Sequence, residues 1–263
     1  MIDHSIAFLD SGVGGLPYAD WMRQRRPDLP LTYVADSASF PYGEREPDDV
    51  KRAVLQTAVK LFDQGTPRIL VLACNTASVV ALEALRAMAP CPVVGTVPAI
   101  KSAANLAGAI GVLATSRTVS SSYLDGLVED FAPGRQVHRV AAGDIVRFVE
   151  ERWLDDGEDG AREVLGPSLA QLKQEGVGSV VLGCTHFIHV MNPIEKELGS
   201  GVQVVDSRDG VGRRVLDVLK EAHQVDENAE IAPSGFWVTG NALQSMHRRY
   251  AQLHGFQWEG PLT

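Results

Sequence analysis

The stretches ILVLACNTASVV (69–80) and VVLGCTHFIHV (180–190) are built alike. In each, a continuous apolar run stops at a small residue. A thiol follows, and then side chains that make hydrogen bonds: Cys74-Asn75-Thr76 in the first, Cys184-Thr185-His186 in the second. An apolar run without alternation is the pattern of a strand buried on both faces, as in a parallel sheet. Working outward, the same pattern recurs in SIAFLD (5–10), LTYVAD (31–36), RILVLAC (68–74), PVVGTV (92–97), AIGVLAT (109–115), QVHRVAA (136–142), SVVLGC (179–184) and VQVVDS (202–207). Amphipathic stretches lie between them, at 48–64, 76–88, 98–107, 118–130, 143–155, 160–175 and 209–223. Alternating strand and helix predicts an α/β fold with mostly parallel sheets flanked by helices. The acidic run DDGEDG (155–160) reads as a solvated loop.

A loose internal repeat is also visible. IAFLDSGVGGLPYAD, starting at Ile6, and IGVLATSRTVSSSYLD, starting at Ile110, both run from an apolar strand through a polar pair and a small-residue turn into a helix. The spacing from Ile6 to Ile110 is close to that from Cys74 to Cys184, which predicts two similar α/β lobes.

Bulk properties narrow the function. The chain has 263 residues, 45% hydrophobic and 22% charged, with a formal net charge of −9. An acidic chain is a poor partner for a phosphate backbone, so nucleic acid is excluded. No stretch approaches the length of a membrane span, and MIDHSIAFLD lacks the basic and apolar regions of a signal peptide. A cytoplasmic location is expected. Three cysteines are no disulfide framework.

Ligands of open α/β sheets bind outside the carboxyl ends of the strands. The residues closing the strands are Asp10-Ser11, Asp36-Ser37, Cys74-Asn75-Thr76, Thr115-Ser116, Cys184-Thr185-His186 and Asp206-Ser207. Hydroxyls, an amide and helix N-termini suit a small carboxylate. Ser-Gly-Val-Gly-Gly (11–15) lets the backbone approach a ligand closely, or is simply a capped turn; it matches neither a dinucleotide fingerprint nor a Walker loop. The thiols leave three chemistries open. One cysteine beside His186 could act as a nucleophile. Two cysteines on equivalent strands could flank one carbon, one removing a proton and the other delivering one, with Asp10 and His186 as supporting groups. Cys74, Cys184 and His186 could ligate zinc, although no CxxC pair is present. Cys91, before Pro92 at a strand start, reads as structural, and His189 as a helix-surface or packing residue.

In these motifs the chain resembles the glutamate racemases of the cofactor-independent aspartate/glutamate racemase superfamily. FLDSGVGGL (8–16), YVADSASFPYG (33–43), ACNTAS (73–78), GVLATSRTV (111–119), GCTH (183–186), Asp206-Ser207 and FWVTGN (236–241) occur in the family's order along nearly the whole chain. The resemblance implies two α/β lobes, 1–97 plus 208–263 and 98–207, with the active site in the cleft between them. It implies interconversion of L- and D-glutamate for peptidoglycan synthesis, with no cofactor or metal, by a homodimer whose only other partner is its small-molecule substrate. Carried over by motif, Cys74 and Cys184 become paired acid/base thiols, supported by Asp10 and His186. Ser11, Asn75, Thr76 and Thr185 would hold the α-carboxylate and α-amino group. Pro41, Tyr42 and Gly43 would line the pocket, and Thr115 and Thr118 would approach the side-chain carboxylate. Glu150, next to Glu151 in RFVEERW, matches a family glutamate near the second thiol. His186 favours the glutamate branch, since aspartate relatives tend to carry Glu there.

Two departures stand out. GTVPAIK (95–101) replaces the Gly-Val-Ile-Glu-Pro of many relatives, and Phe187-Ile188-His189 replaces an aromatic-Pro-Leu run. Neither removes a proposed proton-transfer residue. No lysine sits in a recognisable pyridoxal phosphate setting, so the site itself would have to stabilise an enolate-like state with preorganised donors.

Overall fold

The computed structural model describes residues 2–221 and 233–263. The chain forms two compact units, Met1–Thr96 with Arg208–Thr263, and Val97–Ser207.

The first unit opens with β1 (Ile6–Asp10), α1 (Leu16–Arg25), β2 (Leu31–Ala35), α2 (Pro47–Asp63), β3 (Ile69–Leu72), α3 (Asn75–Met88) and β4 (Val93–Gly95). The second contains α4 (Ile100–Ala103), β5 (Ala109–Ala114), α5 (Ser116–Val119), α6 (Ser122–Phe131), β6 (Val137–Ala141), α7 (Gly143–Glu151), α8 (Trp153–Gln174), β7 (Val177–Leu182), α9 (Met191–Leu198) and β8 (Gln203–Val205). The chain then re-enters the first unit as α10 (Arg208–Glu221), β9 (Gly235–Val238), α11 (Gln244–Leu253) and β10 (Gln257–Pro261).

Among the described residues, one sheet runs β10-β9-β2-β1-β3-β4 and the other β6-β5-β7-β8. Every pairing is parallel. The order β2-β1-β3-β4 matches β6-β5-β7-β8, so the cysteine strands β3 and β7 hold equivalent positions and the internal repeat is structural. β1, β2 and β3 are buried along their whole length, as unalternated apolar runs in a covered parallel sheet must be. Beside β3, Val54, Ala58 and Leu61 of α2 and Ala77, Ala81 and Leu85 of α3 form one core cluster with Leu70 and Leu72. Ile110 and Val112 of β5 pack with Leu124 of α6 and Val181 of β7 in the second unit.

Several boundaries depart from the sequence pattern. The expected helix 98–107 shrinks to α4. Instead of continuing a helical ladder, the carbonyls of Ala104, Leu106 and Gly108 are taken by the Arg135 guanidinium. The 118–130 pattern is two helices, because Ser121 restarts the chain by capping Leu124 N–H. Asp155–Gly160 is not a loop: it lies in the first turns of α8. Acidic side chains at a helix N-terminus oppose its dipole favourably, and Arg152 pairs with Asp156 at 2.6 Å. Gly157, at φ 56° and ψ −146°, puts a kink in the helix at this point. α9, α11 and β10 were not separated from their surroundings by pattern. The expected helix 209–223 is α10, and its last two positions lie outside the described residues. Among the described residues, no helix is long and apolar enough to cross a membrane.

Candidate functional site

In the first unit the polar residues gather at the carboxyl ends of β1, β2 and β3. Asp10 closes β1 and is fully buried. Its Oδ1 accepts from Ser11 N–H at 2.6 Å and from Ser11 Oγ at 3.3 Å, so the carboxylate fixes the first residue of the turn leading to α1. Cys74 follows β3 in an extended conformation and occupies the N-cap position of α3. Asn75 and Thr76 are therefore the first residues of a 14-residue helix, where backbone N–H groups lack intrahelical partners and the dipole favours an anion. Both Asn75 side-chain polar atoms are buried without a hydrogen-bond partner among the described residues. Such a group costs about 1–3 kcal/mol unless something satisfies it, and a ligand with donor and acceptor groups would do so.

Pro41, Tyr42 and Gly43 enter a 3₁₀ turn over Tyr42–Glu44. Tyr42 is buried and donates to Asp36 Oδ2 at 2.6 Å. Burial first, and then the Asp36 carboxylate, push its phenol well above the usual 10, with further contributions from Cys74 and Asp10. Tyr42 thus remains a hydroxyl donor, in the electrostatic field of the first thiol. Thr239 donates to the other Asp36 oxygen at 2.5 Å, Ser37 Oγ accepts from Gly240 N–H at 3.0 Å, and Thr239 Oγ1 accepts from Ala38 N–H at 3.1 Å. These bonds tie the 36–43 segment to the end of β9.

In the second unit Thr115 is the N-cap of α5 and Thr118 lies within it, and both are buried. Thr115 Oγ1 caps the helix by accepting from Thr118 N–H, and the two hydroxyls are 3.2 Å apart. Cys184 follows β7 in an extended conformation, and Thr185 begins a 3₁₀ turn over Thr185–Ile188. The turn brings His186 Nδ1 to 3.8 Å from Cys184 Sγ, while His186 Nε2 lies 2.7 Å from Glu150 Oε1 on α7. His186 is 2% exposed and Glu150 1%, whereas the adjacent Glu151 faces solvent. Burial alone would lower the His186 pKa. Hydrogen bonds and charge from Cys184 and Glu150 outweigh it and hold the imidazole well above 6.5. With Glu150 as acceptor, Nε2 carries a proton. Nδ1 then faces the sulfur as an N–H donor when the ring is charged and as a lone pair when it is neutral. That arrangement can pass a proton at Sγ.

Cys91 sits half-buried before β4, and burial pushes its thiol up to about 11. His189 ends the 3₁₀ turn, half-buried. Among the described residues, no group of three or more His, Cys, Asp or Glu side chains could hold a metal ion. The Asp10–Cys74–Tyr42 set thus belongs to the first unit and the Cys184–His186–Glu150 set to the second. Tyr33 and Thr239 escaped the sequence reading. A tyrosine inside an otherwise apolar buried strand needs a partner for its hydroxyl, which was the available signal for Tyr33.

These features define a parallel α/β protein with a buried thiol, backed by polar groups, at the carboxyl end of the equivalent strand in each unit. The Asp/Glu/Hydantoin racemase model matches residues 18–209. A glutamate racemase of Treponema pallidum is 39% identical over 256 residues, covering 97% of this chain and 95% of its own. The crystal structure of Escherichia coli glutamate racemase, in complex with L-glutamate and the activator UDP-MurNAc-Ala, is 32% identical with a TM-score of 0.89, covering 99% of this chain and 98% of that one. Bacillus anthracis RacE1 is 28% identical with a TM-score of 0.83, covering 99% and 97%. The chain belongs to the Asp/Glu/hydantoin racemase family.

Proposed function

We propose that the chain is a glutamate racemase that interconverts L- and D-glutamate through the thiols of Cys74 and Cys184. The observation that carries the reading is the buried Cys184–His186–Glu150 series, whose thiol follows the strand equivalent to the one that precedes Cys74. Identity to glutamate racemases along nearly the whole chain supports the substrate. One thiolate takes the α-proton, and the other thiol returns a proton to the opposite face of the same carbon. Breaking the C–H bond leaves its electron pair on the α-carbon and its adjacent carboxylate. The second S–H bond then supplies the proton for the new C–H bond, so the reaction balances without an oxidant or reductant.

His186 moves a proton at Cys184 Sγ, and Asp10 supports Cys74. Ser11, Asn75, Thr76 and Thr185 bind the α-carboxylate and α-amino group. Helix N-terminal N–H groups and the Asn75 amide stabilise the charge that develops on the carboxylate. Pro41, Tyr42 and Gly43 line the pocket, and Thr115 and Thr118 take the side-chain carboxylate. The enzyme works in the cytoplasm as a homodimer without metal or cofactor and supplies D-glutamate for peptidoglycan.

The test is α-proton exchange in D2O by NMR, with L- and D-glutamate separately, on wild type, Cys74→Ser and Cys184→Ser. Wild type should wash deuterium into both enantiomers, and each variant should lose racemisation by roughly 10²–10⁴-fold while remaining folded. Exchange into another acid but not glutamate would point to a different substrate of the family. A Cys74→Ser or Cys184→Ser variant that racemises at the wild-type rate would sink the two-thiol mechanism.

A further inference from the structure

We propose that Tyr33 is a positioning residue that sets the Ser11–Gly15 turn for substrate, a role that rests on the racemase reading above. Tyr33 lies on β2, directly across from Phe8 of β1. Its side chain runs to the turn that follows β1. The hydroxyl accepts from Gly15 N–H at 2.9 Å and donates to Gly12 C=O at 2.9 Å. A single oxygen thus bridges both ends of the glycine segment that joins Ser11 to α1.

The ring is held as firmly as the hydroxyl. Tyr33 is fully buried, stacked on Phe236 at 5.1 Å and set edge-on to Phe256 at 6.1 Å. Gly15 is part of the same device. A Cβ there would lie 2.7 Å from the Ala73 Cβ, 3.0 Å from Tyr33 Oη and 3.1 Å from the Ala73 carbonyl. The turn therefore presses against the residue immediately before Cys74. On its other side Ser11 is bonded to Asp10. Tyr33 consequently fixes the turn that carries Ser11 against both Asp10 and the Cys74 strand, without touching substrate itself. A buried hydroxyl with both its donor and acceptor functions used is a rigid support, and a displacement of about 1 Å at a reacting centre costs on the order of 10²-fold in rate.

Tyr33→Phe removes the bridge and leaves the ring packing in place. The experiment measures racemisation and α-proton exchange of glutamate for wild type, Tyr33→Phe, Ser11→Ala and the double variant, together with thermal unfolding and amide hydrogen exchange at Gly15. Tyr33→Phe should stay folded, expose the Gly15 amide to faster exchange, and lose roughly tenfold or more in kcat/KM. In the Ser11→Ala background the same change should cost at least threefold less, because both act through one turn. Activity of Tyr33→Phe within twofold of wild type would overturn the proposal. Equal losses in both backgrounds would do so too. A wild type inert towards both enantiomers would instead refute the racemase reading. Gly15 exchange then decides the clamp, and an unchanged rate in Tyr33→Phe would refute it.

Discussion

Replacing Glu150 by Gln asks what a buried carboxylate does for the second thiol. His186 Nε2 and Glu150 Oε1 are 2.7 Å apart, with almost no exposure on either side. Burial pulls the His186 pKa down, and the bonds to Cys184 and Glu150 more than reverse it, leaving it well above 6.5. Gln keeps an oxygen where Glu150 accepts, but removes the charge. A hydrogen bond to a charged partner contributes about 1.5–3 kcal/mol and a neutral one about 0.5–1.5, so the charged form of His186 loses about 1–2 kcal/mol. Glu150→Ala removes the carboxylate partner of the buried imidazolium and should cost more, about 3–5 kcal/mol. The pH dependence has a definite sign. Folded His186 binds its proton more tightly than the unfolded chain does, so this stability is fully present below the ordinary value of 6.5 and is lost as pH rises through the folded value. Urea unfolding of wild type and Glu150→Gln at a series of pH values from about 6 upward should give a gap that is widest at the acid end and closes on the alkaline side. The Cys184-dependent limb of the racemisation profile should move to lower pH in the variant. A gap independent of pH, or one that widens as pH rises, would refute a charged His186 held by Glu150.

Other expectations follow from single residues. Asn75→Ala removes two unpartnered buried polar atoms, each costing about 1–3 kcal/mol to bury. Its thermal midpoint should be no lower than wild type while KM for glutamate rises about tenfold or more, a loss near 1.4 kcal/mol; a lowered midpoint with unchanged KM would contradict this. Cys91, raised to about 11 by burial, should be alkylated at pH 8 on the order of 10²-fold more slowly than a free cysteine, from its smaller thiolate fraction. Peptide mapping of a timed labelling reads this directly. Gly157→Ala has open space for a methyl group but must adopt φ 56°, ψ −146°. It should lower stability by about 1–3 kcal/mol through backbone strain alone, seen as a shifted urea midpoint at unchanged slope.

The parts of the fold legible in sequence were those where burial leaves a strong periodic mark. The unalternated runs ending at Asp10, Cys74 and Cys184 are strands buried on both sides, and their shortness and β-branched content separated them from a buried helix segment. β10 was illegible because Gln257–Pro261 is an exposed edge strand carrying a proline, and edges need no apolar face. Asp155–Gly160 misled because composition alone does not separate a solvated loop from the acidic first turns of a helix. The pairing of Glu150 with His186 was not readable by spacing. Residues 36 apart meet only because α7 packs beside the turn after β7, so motif resemblance had to supply what local pattern lacks. The role of Tyr33 went unread for the opposite reason. Its strand was so clearly apolar that one hydroxyl within it passed as packing.

The repeat gives the two thiols equivalent strands and unequal company. After β3 the chain continues Asn75-Thr76 into a long helix, and Cys74 shares the surroundings of Tyr42, a phenol that keeps its proton under the influence of Asp36, Cys74 and Asp10. After β7 it continues Thr185-His186 into a short turn, and the group facing Cys184 is an imidazole that carries one. Under the proposed reaction this inequality has a thermodynamic limit. L- and D-glutamate have equal free energies in an achiral solvent, so kcat/KM must be the same in both directions whatever the protein places beside each sulfur. The difference between a thiol at a helix start and one facing an imidazole can appear only as kcat and KM that change together from one enantiomer to the other. A symmetric overall reaction therefore imposes no symmetry on the site, and each unit is free to tune its own thiol with the residues that its own strand end provides.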